Sequence, residues 1–274
     1  LRGKWHSVRP NPGKVPTAAQ KAKMEQLESL SYLAGYNEAP AQSGVTVNDA
    51  KAAYKGVNLV LSGHGPEAML MDMAGNTLHV WRLPYSQARK KFPRLRKAEN
   101  GLDPFTFRRA RLMENGDLLA IYEGFGLVKL RKDSWLFWAF PRAAHHDLTV
   151  TPEGEIVVLS RRARVVERLD PDEPALLDYV SWLDTDGELL RDLSLLEAFE
   201  RSSFTEVLKG MPTSGDIFHT NAIKVLDGSL VGRSPLFSKG NLLISVLHLD
   251  TVAIVDPEKQ AVVWAKKGGW SEQH

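Results

Sequence analysis

The sequence predicts an all-β protein, a β-propeller of four-stranded blades with a helical segment at its N-terminus. Short apolar runs recur along the chain, separated by turns such as Asn115-Gly116 and Asp227-Gly228, which are strong hairpin signals. A tryptophan stands near the end of several groups of runs: Trp81, Trp138 and Trp264. Repeated four-stranded antiparallel units are typical of a propeller, whereas a β-sandwich, the alternative, does not explain the repetition.

The N-terminal residues 1–43 are predicted to form a helical extension, and residues 44–274 the propeller domain. A helix opens at Thr17, because Gln20 three residues later completes a capping box. Its apolar stripe is expected to lie on the main body: Met24, Leu27, Leu30 and Leu33. The chain begins with Leu1, so we expect a targeting segment or a membrane tether to precede it in the natural protein.

The strands are predicted in groups that follow each other along the chain. A hairpin spans residues 68–81, and further groups span residues 108–140, 145–193 and 219–265. About three to four units are visible, and propellers close with about 4–8 blades, so the ring is predicted to be incomplete in this chain.

Two segments are predicted to interrupt the repeat. Residues 85–106 are basic and are expected to form an exposed, solvated loop, with an acidic partner or an anionic lipid surface as the alternative. Residues 190–210 carry apolar residues at helical spacing, which predicts one or two amphipathic helices bracing the propeller.

Composition excludes several classes of function. A formal net charge of +2 is too small to predict nucleic-acid binding, and zero cysteines exclude disulfides and thiolate metal sites. No apolar run approaches the ~20 residues that cross a bilayer.

Histidines recur at equivalent points of the repeated unit. Nine residues separate His145 from Gly154 and His219 from Gly228, and Phe107 from Gly116 in the preceding unit. These points begin the strands predicted to line the central channel, so their side chains are expected to converge. His146 is offset by one position, and the spacing does not decide which member of the His145-His146 pair faces the axis.

Converging imidazoles can serve as metal ligands, proton shuttles or nucleophiles near neutral pH. A metal site formed by His146, His219 and His274 is one hypothesis, but helical zinc-ligand spacing is absent and few carboxylates are near. We therefore predict no metal and no cofactor. Asp147 and Asp216 are the carboxylates expected to orient imidazoles.

Several segments resemble, in the same order, the landmarks of the arylsulfotransferase (ASST) family. They begin with the blade at residues 44–82 and continue with "FPRAAHHDLTV", "DIFHTNAIKVL" and "LLISVLHLDTVAIVDPEKQAVVW". The resemblance implies a six-bladed propeller, exported from the cytoplasm, that moves a sulfuryl group from an aryl sulfate to a phenol without a nucleotide donor.

The resemblance also implies roles for individual residues. His274 corresponds to the nucleophile that forms a transient sulfohistidine. His146, together with His145, and His219 correspond to the histidines that bind the sulfuryl oxygens, and Asn221 to an asparagine that positions the substrate.

One position departs from the family pattern. Where the family shows serine, serine, arginine, histidine, this chain has Ser245, Val246, Leu247 and His248. Losing a preorganised positive charge typically costs ~10²–10³ in rate. His248, assigned here to substrate binding, or Arg233 is the candidate replacement for the arginine. The alternative function is a catalytically degenerate propeller that serves as a binding or assembly module.

Overall fold

The architecture consists of antiparallel sheets that follow one another along the chain. The structure is a computed structural model that describes residues 15–30, 41–42, 44–91, 106–122, 126–270 and 273. Four sheets lie within these residues. The first contains β1 (Asn58–Leu61), β2 (Glu67–Met71) and β3 (Thr77–Arg82), and the second β4 (Phe107–Leu112), β5 (Leu118–Tyr122), β6 (Gly126–Leu130) and β7 (Leu136–Phe140). The third contains β8 (Ala143–Val150), β9 (Ile156–Val166), β10 (Asp170–Leu183) and β11 (Leu189–Ser194), with the short β12 (Gly215–Asp216) beside β10. The fourth contains β13 (Thr220–Val225), β14 (Leu242–Val246), β15 (Thr251–Asp256) and β16 (Ala261–Lys267).

These sheets are propeller blades, as the sequence predicts. Each is a meander in which consecutive strands pair antiparallel. The first strands of successive sheets pack side by side, β1 against β4, β4 against β8 and β8 against β13. The first strand of each sheet is therefore the innermost one, and the four sheets radiate from a common axis. Three of them have the predicted four-stranded meander, and the first has three strands in the described part of the chain. A total of six blades stays a prediction.

Apolar side chains between neighbouring blades form the core. One cluster joins the first and second blades and includes Trp81 and Tyr122, and another joins the second and third blades through Leu119 and Val158. The largest joins the third and fourth blades. Burial of these faces against one another stabilises the radial arrangement.

Two of the blade-closing tryptophans also bond to the following blade. The indole N–H of Trp81 donates to the Gly116 carbonyl at 3.1 Å, and that of Trp138 to the Thr185 carbonyl at 3.0 Å. The ring of Trp138 packs so closely on Gly187 that a Cβ built there would lie 2.6 Å from it, and Gly187 has a left-handed φ of +83°. Only glycine fits this turn without displacing the indole.

The N-terminal helix α1 (Ala18–Glu28) begins as predicted. Thr17 caps it, and Gln20 completes the capping box. The helix packs on β9 and β10, and its contacts there are largely polar. The Gln20 side chain donates to the carbonyl oxygens of Pro171 and Asp172, and the Glu28 carboxylate accepts from the Ala163 N–H. Met24, Leu27 and Leu30 are half-buried, and Leu33 lies outside the described residues.

The two predicted insertions differ from expectation in their details. Helix α2 (Tyr85–Lys91) occupies the start of the basic segment and buries Ala88, while residues 92–105 lie outside the described part of the chain. In the second segment the helical interpretation is wrong for residues 190–194, which belong to β11 and pair with β10. The helical part follows as α3 (Leu195–Glu200) and a 3-10 turn at Thr205–Leu208. Across the described residues, none of the helices has the length and apolar character needed to span a membrane.

Candidate functional site

The His145-His146 pair lies in a local irregularity of the innermost strand β8. Pairing with β9 shifts between Ala144 and Leu148, and His146 has a left-handed φ of +53°. Such irregularities re-aim side chains at the end of a strand. His145 is fully buried and His146 is 7% exposed, and their Nδ1 atoms lie 3.0 Å apart. One of these nitrogens must donate to the other.

His219 reaches the same end of the channel from the next blade. It directly precedes β13, has a φ of +51°, and its Nδ1 lies 2.8 Å from Oδ2 of Asp216. His248 approaches from the other side, with its Nδ1 2.8 Å from the Asp216 carbonyl oxygen. Non-glycine residues with left-handed backbone cluster at functional sites, because the surrounding structure must hold them there.

The four imidazoles form a row. Ring centroids are 5.2 Å apart for His145 and His146, 4.9 Å for His146 and His219, and 5.1 Å for His219 and His248. The convergence expected from the spacing is thus present for His145 and His219, with His146 between them, and His248 extends the row. His274 lies outside the described residues, so its role as nucleophile stays a prediction.

Asn221 holds the chain next to that predicted nucleophile. Its Nδ2 donates to the Gln273 carbonyl oxygen at 2.7 Å, and the Gln273 side chain donates to the Val246 carbonyl at 3.0 Å. The residue before His274 is therefore tied to the start of β13 and the end of β14. The Oδ1 atom of Asn221 is buried with no hydrogen-bond partner among the described residues.

The two carboxylates named by the sequence have different surroundings. Asp216 contacts His219, as expected. Asp147 has no imidazole as a hydrogen-bond partner among the described residues. Its carboxylate accepts from the Ile223 N–H at 3.1 Å and lies 3.1 Å from Nε of Arg109. Its expected role of orienting an imidazole stays a prediction, because His274 lies outside the described residues.

A third carboxylate, Asp178 on β10, is absent from the predictions. It is 1% exposed, its Oδ2 accepts from the Thr220 N–H at 2.8 Å, and its Oδ1 lies 3.7 Å from Nε2 of His145. Burial raises the pKa of Asp178 to about 6, with the charge of Asp216 acting in the same direction. Burial lowers the pKa of His145 well below its usual value. At neutral pH the pair is therefore a carboxylate facing a neutral imidazole.

A cleft of about 600 Å³ is lined by residues of the innermost strands β4, β8 and β13, among them Asp147, the residue after His146. Three exposed cations line it, namely Arg109, Arg111 and Lys224, and Trp270 and Gln273 also border it. Its size suits a small aromatic ligand.

Leu247 is the residue that stands where the family pattern has an arginine. Its backbone N–H donates to the His219 carbonyl at 3.2 Å, so a side chain at this position starts beside the histidine row. Arg233 is exposed in the turn-rich segment after β13, where its N–H donates to the Leu230 carbonyl.

Asp216, His219 and His248 could together hold a metal ion. One ligand atom from each lies within 4.8 Å of the others. The Nδ1 atoms of both histidines also bond to Asp216, so hydrogen bonds alone account for the cluster. The histidine pair of the earlier metal hypothesis, His146 and His219, is close, and its third member, His274, lies outside the described residues.

Comparison with known proteins gives one family match. The sequence model described as arylsulfotransferase (ASST) matches residues 133–274. No curated protein sequence matches the chain. Among solved structures, the chain is similar to one titled "Structure of Dos1 propeller", with 13% identity and a TM-score of 0.42. The similarity covers 73% of this chain and 44% of that chain, so this chain spans less than half of that structure's length.

Proposed function

Because the chain belongs to the arylsulfotransferase family, we propose that it transfers a sulfuryl group from an aryl sulfate to a phenol through a sulfohistidine on His274. The row of four imidazoles at one end of the channel is the observation that carries this proposal. A protein with only a scaffolding role gains nothing from burying adjacent titratable rings, since burial of polar groups costs free energy.

In the first half of the proposed reaction, a neutral nitrogen of His274 attacks the sulfur of the aryl sulfate. The N–S bond forms as the sulfur–oxygen bond to the aryl group breaks, and the electron pair leaves with the phenolate oxygen. A protonated imidazole of the row gives that oxygen its proton. His146 and His219 flank the sulfuryl group, and His219 donates to its oxygens.

The second half reverses these steps with another phenol. The acceptor hydroxyl loses its proton to the imidazole of the row while its oxygen bonds to sulfur, and the N–S bond breaks with the pair returning to His274. Asn221 supports both halves, because its hydrogen bond to the Gln273 carbonyl anchors the residue before the nucleophile.

Positive charge for an anionic substrate is available despite Leu247. His248 adjoins His219, and the cations Arg109, Arg111 and Lys224 line the cleft along the innermost strands. These groups attract an aryl sulfate to the channel, and His248 takes the place of the missing arginine beside the sulfuryl group. The aromatic ring of the substrate would lie in the cleft near Trp270.

The second candidate function is a binding or assembly module, and Leu247 is the observation that favours it. The two functions separate in one assay: release of p-nitrophenol from p-nitrophenyl sulfate with phenol as acceptor. We expect acceptor-dependent release from the full chain and from the control variant His79→Ala, whose site on β3 is remote from the row, and none from His274→Ala. No release from folded wild-type protein would favour the binding module.

For localisation we propose an extracytoplasmic protein, as the family resemblance implies. A tether ahead of Leu1 stays a prediction. Fractionation of cells that express the natural full-length gene tests both, since cytoplasmic accumulation would contradict them.

A further inference from the structure

Asp178 and His145 form a buried polar contact that the proposed mechanism does not use. Oδ1 of Asp178 and Nε2 of His145 lie 3.7 Å apart, and neither atom has a hydrogen-bond partner among the described residues. Leaving two buried polar atoms unsatisfied costs free energy, because each has lost its hydrogen bonds to water. A proton on Nε2 of His145 that points at the carboxylate gives both atoms a partner.

We propose that Asp178 is a positioning residue that fixes the tautomer of His145 and, through it, the tautomer of His146. If Nε2 of His145 carries the proton, its Nδ1 is an acceptor. The Nδ1 of His146, 3.0 Å away, must then carry a proton and donate it. His146 therefore exchanges protons only at Nε2, whether its ring is neutral or cationic.

These tautomers identify His146 as the imidazole that transfers the proton during turnover. This proton transfer rests on the proposed function. With Nδ1 permanently protonated, Nε2–H of cationic His146 gives its proton to the leaving phenolate. The neutral ring left behind accepts the proton of the phenol that attacks next. Over one turnover a single proton leaves and returns to Nε2, and His145 and Asp178 gain or lose none. The tautomers themselves do not depend on the reaction.

Other charged groups surround the pair. Arg161 lies directly opposite Asp178 across β9 and β10, Asp216 faces it from β12, and His219 lies beyond His146. The charge of Arg161 favours the ionised carboxylate, whereas burial and Asp216 oppose it. Asp178 therefore has a rival role, in which it serves only as the counter-ion of Arg161 and the acceptor for the Thr220 N–H.

The substitution Asp178→Asn separates these roles. An asparagine keeps an oxygen for the Thr220 N–H and turns an amide donor toward Nε2 of His145. The expected consequence is a reversal, in which His145 carries its proton on Nδ1 and donates to His146. The control Arg161→Met removes the counter-ion and leaves the contact between Asp178 and His145 in place.

Long-range ¹H–¹⁵N NMR spectra of histidine-labelled full chain report the tautomers directly, with His145→Gln and His146→Gln for assignment. We expect an Nε2–H tautomer for His145 and a protonated Nδ1 for His146 in wild type and Arg161→Met, and the reversed pattern in Asp178→Asn. Unchanged tautomers in folded Asp178→Asn would overturn the proposal. So would a wild-type His145 that is protonated on Nδ1.

A kinetic readout links the tautomers to turnover. If the chain transfers sulfuryl groups, Asp178→Asn should lower kcat by about 10²–10⁴-fold with little change in KM, as expected for loss of proton transfer. Equal kcat in the two proteins would show that the tautomer of His146 is not used in catalysis. Because the spectra are recorded without substrate, an inactive chain would contradict the proposed function and leave the tautomer test intact.

Discussion

The second and third blades share a backbone plan but differ at the entry of the innermost strand. In the second blade Phe107 is buried there against Tyr122, with ring centroids 5.5 Å apart and edge-to-face geometry. In the third blade the corresponding strand carries His145 and His146, and pairing with the next strand is irregular in both blades. The fold therefore accepts an apolar side chain at this place.

This difference favours a chemical role for the histidines, as proposed above. An aromatic ring at the entry stabilises by burial alone. Imidazoles at the same entry need partners, and the third blade supplies them through Asp178 and through Asp216 beside His219. Buried polar networks are costly unless their members are satisfied, so a network at one blade entry and an apolar contact at the next indicate different uses.

The largest difference between the two blades should appear when Phe107 and His146, at the starts of their innermost strands, are substituted. Phe107→Ala should lower the free energy of unfolding by about 3–5 kcal/mol, because a buried aromatic ring is lost. His146→Asn should lower kcat/KM for sulfuryl transfer by about 10²–10⁴-fold with a small effect on stability, since asparagine tolerates a left-handed backbone. Urea denaturation and p-nitrophenol release measure the two quantities.

The comparison fails if the two effects coincide. In that case His146→Asn would lower the free energy of unfolding as much as Phe107→Ala, and activity would fall only in proportion to the unfolded fraction. Such a result would make His146 a structural residue like Phe107.

A smaller contrast concerns pH. The pKa of Asp178 is raised from 3.8 to about 6, so between these values the native state holds a proton that the unfolded state has released. The contribution of this carboxyl to stability therefore falls as pH rises from about 4 to about 6 and is constant above. Relative to wild type, Asp178→Asn should gain up to about 3 kcal/mol of stability over this range.

The exposed Asp227 provides a control of opposite sign. Hydrogen bonds from Ser229 lower its pKa, so Asp227→Asn should lose stability relative to wild type as pH rises through the range in which that carboxyl ionises. Urea denaturation at several pH values gives both differences. If the difference in the free energy of unfolding between Asp178→Asn and wild type does not change with pH, burial does not raise the pKa of Asp178.

The smallest expected effect concerns the contact between Trp138 of the second blade and Gly187 of the third, and it tests how much this contact stabilises the protein. Gly154 and Gly187 both have left-handed φ values, but only at Gly187 would a Cβ meet the Trp138 ring, at 2.6 Å, the nearest atom at Gly154 being 3.6 Å away. Alanine should cost about 1–2 kcal/mol at either site for the backbone. Gly187→Ala should cost about 1–3 kcal/mol more for displacement of the indole. Equal losses in thermal unfolding would show that the Trp138 contact is loose.

Much of the fold could be predicted from the sequence because turns such as Asn115-Gly116 determine hairpins locally. The convergence of the histidines could also be predicted, since the distance from His145 and His219 to the next turn glycine is the same. Asp178 could not, because in "DYVSWL" it reads as an ordinary polar position of a strand. Its signal would have been a carboxylate in the middle of a strand whose neighbouring residues are buried.

The directions of individual side chains were beyond the sequence for a related reason. The irregularity in β8 interrupts the alternation of side chains between the two faces of the strand at His146 and Asp147. No residue pattern in the sequence marks it. Residues 190–194 were misread because leucines at helical spacing also fit a strand. In the structure these residues pair with β10 in a hairpin, and the helix starts only at Leu195.

The central claim is that the histidine row supports sulfuryl transfer through His274. Its most direct test is the mass of the full chain after incubation with p-nitrophenyl sulfate in the absence of a phenol acceptor, followed by peptide mapping. We predict that wild-type protein gains one sulfuryl group on the peptide that contains His274, and that the group is lost when phenol is added. A folded protein that gains no sulfuryl group, or gains it on another residue, would contradict the claim.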